Sequence, residues 1–192
     1  MQSSPNLKTR YGNVAIAFHW TIAMLVFLNI ASGIYFVQFL ERDNPSRGAI
    51  VGLHESIGIS ILVLSIMRLG WRLMHPALPL PSDFTPGKRL LARSTHYGLY
   101  LLLILVPLAG WGLASLPPRS LMLFGSIAWP KIGALAALST DAKKAAGGIL
   151  ALSHILSAFL LLALAIGHIV AALFYHAAIR RDRVLQRMLP GI

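Results

Sequence analysis

The stretch Ile149–Ile179, ILALSHILSAFLLLALAIGHIVAALFYHAAI, decides the fold. No Asp, Glu, Lys or Arg interrupts it, so it is long and apolar enough for a helix that crosses a bilayer. Two imidazoles nevertheless sit deep within it, His154 and His168, and such groups are costly in lipid unless partnered. They are fourteen residues apart. That is close to four whole helical turns, so both leave the same face, about 21 Å apart along the axis. One helix therefore offers two nitrogen donors to its neighbours, one towards each side of the membrane.

Composition agrees. Of 192 residues, 56% are hydrophobic and 12% charged, and the mean hydropathy is +0.70. These are values of a membrane domain, not of a soluble one. One compact membrane domain is expected over residues 1–192. The formal net charge is +11, but the Lys and Arg residues gather at segment ends. That pattern favours topology and lipid headgroups over nucleic acid. The absence of cysteine excludes disulfides, thiolate metal sites, iron–sulfur clusters and covalent haem attachment. MQSSPNLKTRYG at the start lacks a signal peptide's small-residue cleavage site, so the first apolar segment is expected to stay in the mature protein.

Working outward, three more segments read as spans: about Val14–Phe39, Ile50–Leu69 and Leu90–Leu116. Tyr11-Gly12-Asn13 supplies a cap for the first, and His19-Trp20 lies about two turns in. Trp20 also suits an interfacial depth, which is the plainer reading of that pair. The turn Glu41–Arg47 leads to the second span, with His54 one turn in and Arg68, Arg72 and His75 at its end. Residues 76–89 form a proline-rich loop without expected regular structure. His96 opens the third span, and Pro107 is expected to kink it. Residues 119–148 make a longer, moderately apolar connection. Ser139 or Thr140 before Asp141 reads as an N-cap, which would start the fourth helix above the bilayer.

Charge sets an orientation. Lys8, Arg10, Arg68, Arg72, Lys88, Arg89, Arg93, Arg180, Arg181, Arg183 and Arg187 fall on one side; Arg42, Arg47, Arg119, Lys131, Lys143 and Lys144 fall on the other. Eleven against six places both termini in the cytoplasm, and four spans then form an all-α, up-down-up-down integral membrane four-helix bundle. Depth limits which histidines meet. The outer half contains only His54 and His154. The inner half offers His19, His96 and His168, with His75 and His176 nearer the ends. At α-helical spacing His176 lies about 80° round from His168, which argues against both serving one site.

The fourteen-residue spacing recurs. Gly33 follows His19 at that interval, Arg68 follows His54, and Gly110 follows His96. Each helix thus shows one face at two levels. Gly58, one turn from His54, is on that face too. Glycine there admits a flat macrocycle against the backbone, and equally serves close helix packing.

Two imidazoles from different helices at one depth suit axial ligation of haem iron. Bis-His ligation leaves no open position, which favours electron transfer over oxygen binding. Two such sites across the bilayer make an electron path. Arg68 suits a haem propionate, or simply snorkels to headgroups. Zinc fits less well: His54-Glu55 lacks the second His of a His-Glu-x-x-His pair. A proton path usually adds acids, and Glu55 is the only one within a span.

On these residues the chain resembles the bacterial cytochrome b561 family of small inner-membrane di-haem b proteins. The resemblance rests on Ala17-Phe18-His19-Trp20, on His54–Arg68 (HESIGISILVLSIMR), on His154, and on Ile166-Gly167-His168-Ile169-Val170-Ala171-Ala172-Leu173. It implies two haem b groups, with His19 and His168 as ligands of the inner one and His54 and His154 of the outer. The histidines' depths alone reach the same outer pair, and leave the inner one open between His19 and His96. The resemblance further implies electron exchange with a quinone, and superoxide oxidation coupled to ubiquinone reduction in the nearest relatives. Lys131, Lys143 and Lys144 would steer an anionic donor such as superoxide, or bind outer-leaflet headgroups. Two other classes stay open: a cytochrome b subunit anchoring a partner dehydrogenase or hydrogenase, and a haem-binding membrane protein without turnover.

Overall fold

A computed structural model describes residues 10–180 and 184–190. Lys8, Arg181 and Arg183, counted in the charge balance, lie outside the described residues. The long helices are α1 (Asn13–Gln38), α2 (Arg47–Met74) and α3 (Pro86–Ser115). A hairpin of β1 (Leu121–Leu123) and β2 (Ile127–Trp129) and a short turn of helix, α4 (Gly133–Ala136), lead into α5 (Thr140–Val170). Four helices are long and apolar enough to cross a membrane. Their neighbours run α1–α2, α2–α3 and α3–α5, so each packs antiparallel on the one before it.

Local chemistry sets the helix ends. Ser139 is the N-cap of α5, its side chain accepting the Ala142 N–H at 3.4 Å. Thr85 caps α3 through the Lys88 N–H, with Pro86 in the first turn, where its missing donor costs nothing. Gly12 precedes α1 without a side-chain cap. Helices α2 and α3 start in their polar flanks, at Arg47 and Pro86. Arg47 explains the former. Its Nη1 donates to the carbonyls of Phe36 and Leu40, so two orphan acceptors at the end of α1 are satisfied by the first residue of α2.

The core lies midway along the bundle. Ile22, Val26, Ile57, Ile61, Leu102, Leu103 and Leu161 form one buried cluster drawn from all four long helices. Leu161 is seven residues from both His154 and His168. An apolar layer therefore separates the two histidine levels, about 10 Å from each. Pro107 is buried inside α3. Helix α5 has its close backbone contact with α3 and very little with α1 or α2, and among its described residues only Leu161 is buried.

The hairpin has no counterpart in the sequence reading, which left residues 119–148 as a connection. It reverses at Phe124 and Gly125, both with positive φ (50° and 73°). The Phe124 N–H donates to Ser56 Oγ at 2.9 Å, which ties the turn to α2. Beyond the hairpin, Trp111 Nε1 donates to the Pro130 carbonyl at 2.9 Å. The buried Ser115 hydroxyl accepts from Ile132 N–H at 3.0 Å. The connection thus folds down onto the His54 end of the bundle.

A second departure follows His168. The α geometry stops at Val170, and Ala171–Ile179 form a π-helical segment, closed by Arg180 N–H on the Tyr175 carbonyl at 2.9 Å. The wider turn changes the angular relation between His168 and His176 that regular α spacing gives. His176 stacks on Phe84, with ring centres 5.8 Å apart. Arg180 pairs with Asp83 at 2.9 Å. That hydrogen bond holds the Asp83 carboxyl below its usual range, so the clasp is made at neutral pH and is lost as pH falls through the lowered value. The tail returns to the start of α1: Trp20 Nε1 donates to the Met188 carbonyl at 2.7 Å and Arg10 Nη2 to that of Leu189 at 2.9 Å.

Candidate functional site

The four deep histidines meet as two pairs. His54 on α2 faces His154 on α5 with ring centres 6.1 Å apart. His19 on α1 faces His168 on α5 at 6.2 Å. An imidazole nitrogen binds a transition metal at about 2.0 Å, and the ring centre lies about 1.2 Å behind it, so two imidazoles on opposite sides of one metal have their centres roughly 6.3 Å apart. Both pairs match that separation. His96 also approaches His168, but at 5.4 Å, closer than two ligands on opposite sides of one metal stand.

The His54 pair is oriented for Nε2 donation. His54 Nδ1 lies 3.1 Å from the Asn29 carbonyl, and His154 Nδ1 lies 2.9 Å from that of Val106. A carbonyl only accepts, so each Nδ1 carries the proton and each Nε2 keeps its lone pair. Ser32 Oγ is a further polar neighbour of His54 Nδ1 at 3.1 Å.

Two glycines make these contacts sterically open. A Cβ at Gly33 would meet His54 Cε1 at 3.2 Å, and one at Gly110 would meet His154 Cε1 at 3.1 Å and Nδ1 at 3.3 Å. Asn29 and Gly33 are four residues apart, as are Val106 and Gly110. The same device is used twice: a helix carbonyl accepts an imidazole N–H, and the residue one turn on lacks the side chain that would block the ring. The fourteen-residue spacing flagged both glycines; their partners prove to be the imidazoles of the opposite level. Gly58 lines the cleft between His54 and His154 together with Leu121 of β1. This cleft encloses about 30 Å³, about one water's worth. A macrocycle needs more room than this cleft encloses, and the buried Leu121 is one of the side chains that bounds it.

The His19 pair differs. Arg68 Nη2 lies 3.2 Å from His19 Nδ1. A guanidinium only donates, so this Nδ1 accepts. Arg68 is half-buried and lies 5.4 Å over the Tyr100 ring. His96 is exposed, with Nδ1 on its own Ala92 carbonyl at 2.6 Å, which leaves Nε2 for another partner. Trp20, adjacent to His19, turns outward to the tail.

Of the remaining charged residues, Glu55 pairs with Arg119 across the His54 end. Lys131 donates to the Pro117 carbonyl, Lys143 is half-buried and Lys144 exposed. Sequence reasoning missed the Asn29, Val106 and Ser32 partners. Backbone acceptors have no residue signature, and Ser32 lies on the far side of a helix pairing unknown beforehand.

Comparison with known proteins gives the family. Residues 10–191 match the family model described as prokaryotic cytochrome b561. The chain is 33% identical over 188 residues to cytochrome b561 homolog 2 of Escherichia coli, covering 97% of this chain and 95% of that one. It is 32% identical over 186 residues to cytochrome b562 of Cereibacter sphaeroides, covering 93% and 94%. It is 30% identical over 181 residues to the probable superoxide oxidase CybB of Yersinia pestis, covering 94% and 96%. With residues 10–191 matched by the family model and 97% of the chain by a relative of 33% identity, the chain belongs to the prokaryotic cytochrome b561 family of haem b membrane proteins.

Proposed function

We propose that the chain holds two haem b groups, one between His54 and His154 and one between His19 and His168, and passes electrons across the bacterial inner membrane from an outer donor to ubiquinone. The observation that carries this reading is the pair of ring-centre separations, 6.1 and 6.2 Å, on donors from different helices. When bound, haem with two imidazole ligands supplies one-electron storage without an open coordination position. The apolar layer around Leu161 keeps the two levels dry. The Asn29 and Val106 carbonyls hold the His54 pair in the donating tautomer. At the other level, ligation through His19 Nε2 would place the ring proton on Nδ1 and free Arg68 to meet a haem propionate.

The charge balance supports cytoplasmic termini, which puts His54 at the outer side. The likeness to a probable superoxide oxidase supports superoxide as the donor, attracted by Lys131, Lys143 and Lys144. In stopped flow, superoxide should reduce the haem-loaded protein, and an added short-chain ubiquinone should then reoxidise it. The reduction rate should fall several-fold as salt rises from 10 to 300 mM. A haem spectrum unmoved by superoxide rules out that donor, and a salt-independent rate rules out steering.

Quinone reduction is assigned to the His19 level. There an exposed imidazole, His96, stands 5.4 Å from His168 with Nε2 available to a quinone oxygen. His96→Phe should slow quinone-dependent reoxidation about tenfold or more, the size of one lost hydrogen bond to a reacting oxygen, while superoxide reduction stays unchanged. Equal reoxidation rates would move the quinone elsewhere.

A further inference from the structure

At the His54 end, three arginines line one open surface groove of about 380 Å³. Arg42 comes from the α1–α2 turn, Arg47 from the first turn of α2, and Arg119 from the segment after α3. Asn44, Gly48 and Val51 complete the wall, and no acid is part of it. Arg47 is fixed by the Phe36 and Leu40 carbonyls and lies 5.6 Å over the Phe36 ring. Arg119 is fixed by Glu55. Arg42 is exposed. Glu55 offsets one of the three cations, and Glu41 and Asp43 flank Arg42 in the turn without lining the groove.

We propose that this groove binds a phosphate-bearing anion, the phosphodiester headgroup of an anionic phospholipid. Arginine forks match phosphate oxygens two at a time. Basic pockets between membrane helices suit anionic headgroups. The depth is right, because Arg47 joins the last turn of α1 to the first of α2, where both helices leave the apolar zone. These helix ends expose Val37, Phe39 and Leu53 to the bilayer for the acyl chains. The volume suits a headgroup. The proposal needs neither the haem ligation above nor the orientation of the termini.

A free phosphate ion shares this chemistry, so the test separates the two sources. The full haem-loaded chain, delipidated in neutral detergent, is melted with added phosphatidylglycerol, phosphatidylcholine or inorganic phosphate, and followed by tryptophan fluorescence. Phosphatidylglycerol should raise Tm by about 3–5 °C at saturation, and phosphatidylcholine should not. Arg42→Gln should remove at least half of that rise. Arg47→Lys, which keeps the charge and loses the fork, should reduce it too, measured as the increment over its own lipid-free Tm. An equal rise with inorganic phosphate, lost in Arg42→Gln, would replace the lipid by a free ion. Increments that are absent, or the same in wild type and both variants, would overturn the site.

Discussion

His54→Ala is expected to yield a folded protein with half the haem of the wild type, its remaining spectrum that of the His19 level. His168→Ala should leave the complementary half. The two levels are independent because an apolar layer lies between them, and because no imidazole is shared. Removing one axial nitrogen also orphans its partner, since His154 keeps its Nδ1 on Val106 and has nothing else to bring to the iron. Pyridine haemochrome quantitation against protein concentration gives the count, and redox titration identifies which centre is left. Two haems retained in His54→Ala, or both lost in each variant, would contradict the pairing. His96→Ala is the control at the His19 level. Its ring lies too near His168 for the two to bind opposite faces of one haem, so haem content should stay at two.

The second large effect is expected from a residue with no side chain. A Cβ at Gly110 would stand 3.1 Å from the His154 ring, tighter than ordinary contact, and the branched methyls of valine would enter the space the imidazole occupies. Gly110→Val should push His154 off the Val106 carbonyl. Overpacking of this kind costs about 1–3 kcal/mol, which converts to a loss of roughly 5- to 150-fold in affinity for haem at the His54 level. The haem between His19 and His168 should remain, and Gly110→Ala should show a smaller version of the same loss. Gly33→Val should act alike through His54, where the Cβ contact is 3.2 Å. Competition with apomyoglobin measures the affinity. A Gly110→Val protein that keeps both haems with wild-type release rates would remove the glycine from the site's construction.

The candidate histidines were legible because imidazoles are rare in apolar segments and costly there. Spacing on one long helix then predicted two levels, and charge asymmetry sorted the remaining histidines between them. The His54–His154 pair followed by depth alone. The other pair did not, because His19 and His96 occupy the same depth and one-dimensional spacing cannot weigh 6.2 Å against 5.4 Å. The hairpin escaped for a different reason. Its strands are three residues long, and its turn depends on Ser56 of a distant helix. The π segment after His168 is likewise written in no residue pattern, since Ala171–Ile179 would read equally well as α.

The sequence by itself determined the solvent and the rods: apolar runs with polar ends must satisfy their backbone internally in lipid, and only helices do so over such lengths. It also determined that two imidazoles share a face of the fourth rod, because helical pitch is a local property. Which rings face each other, which carbonyls hold them, and why Gly33 and Gly110 carry no side chain were decided only by tertiary structure. Those relations join atoms from different helices, and the distance between helices is set by packing, which no single helix encodes.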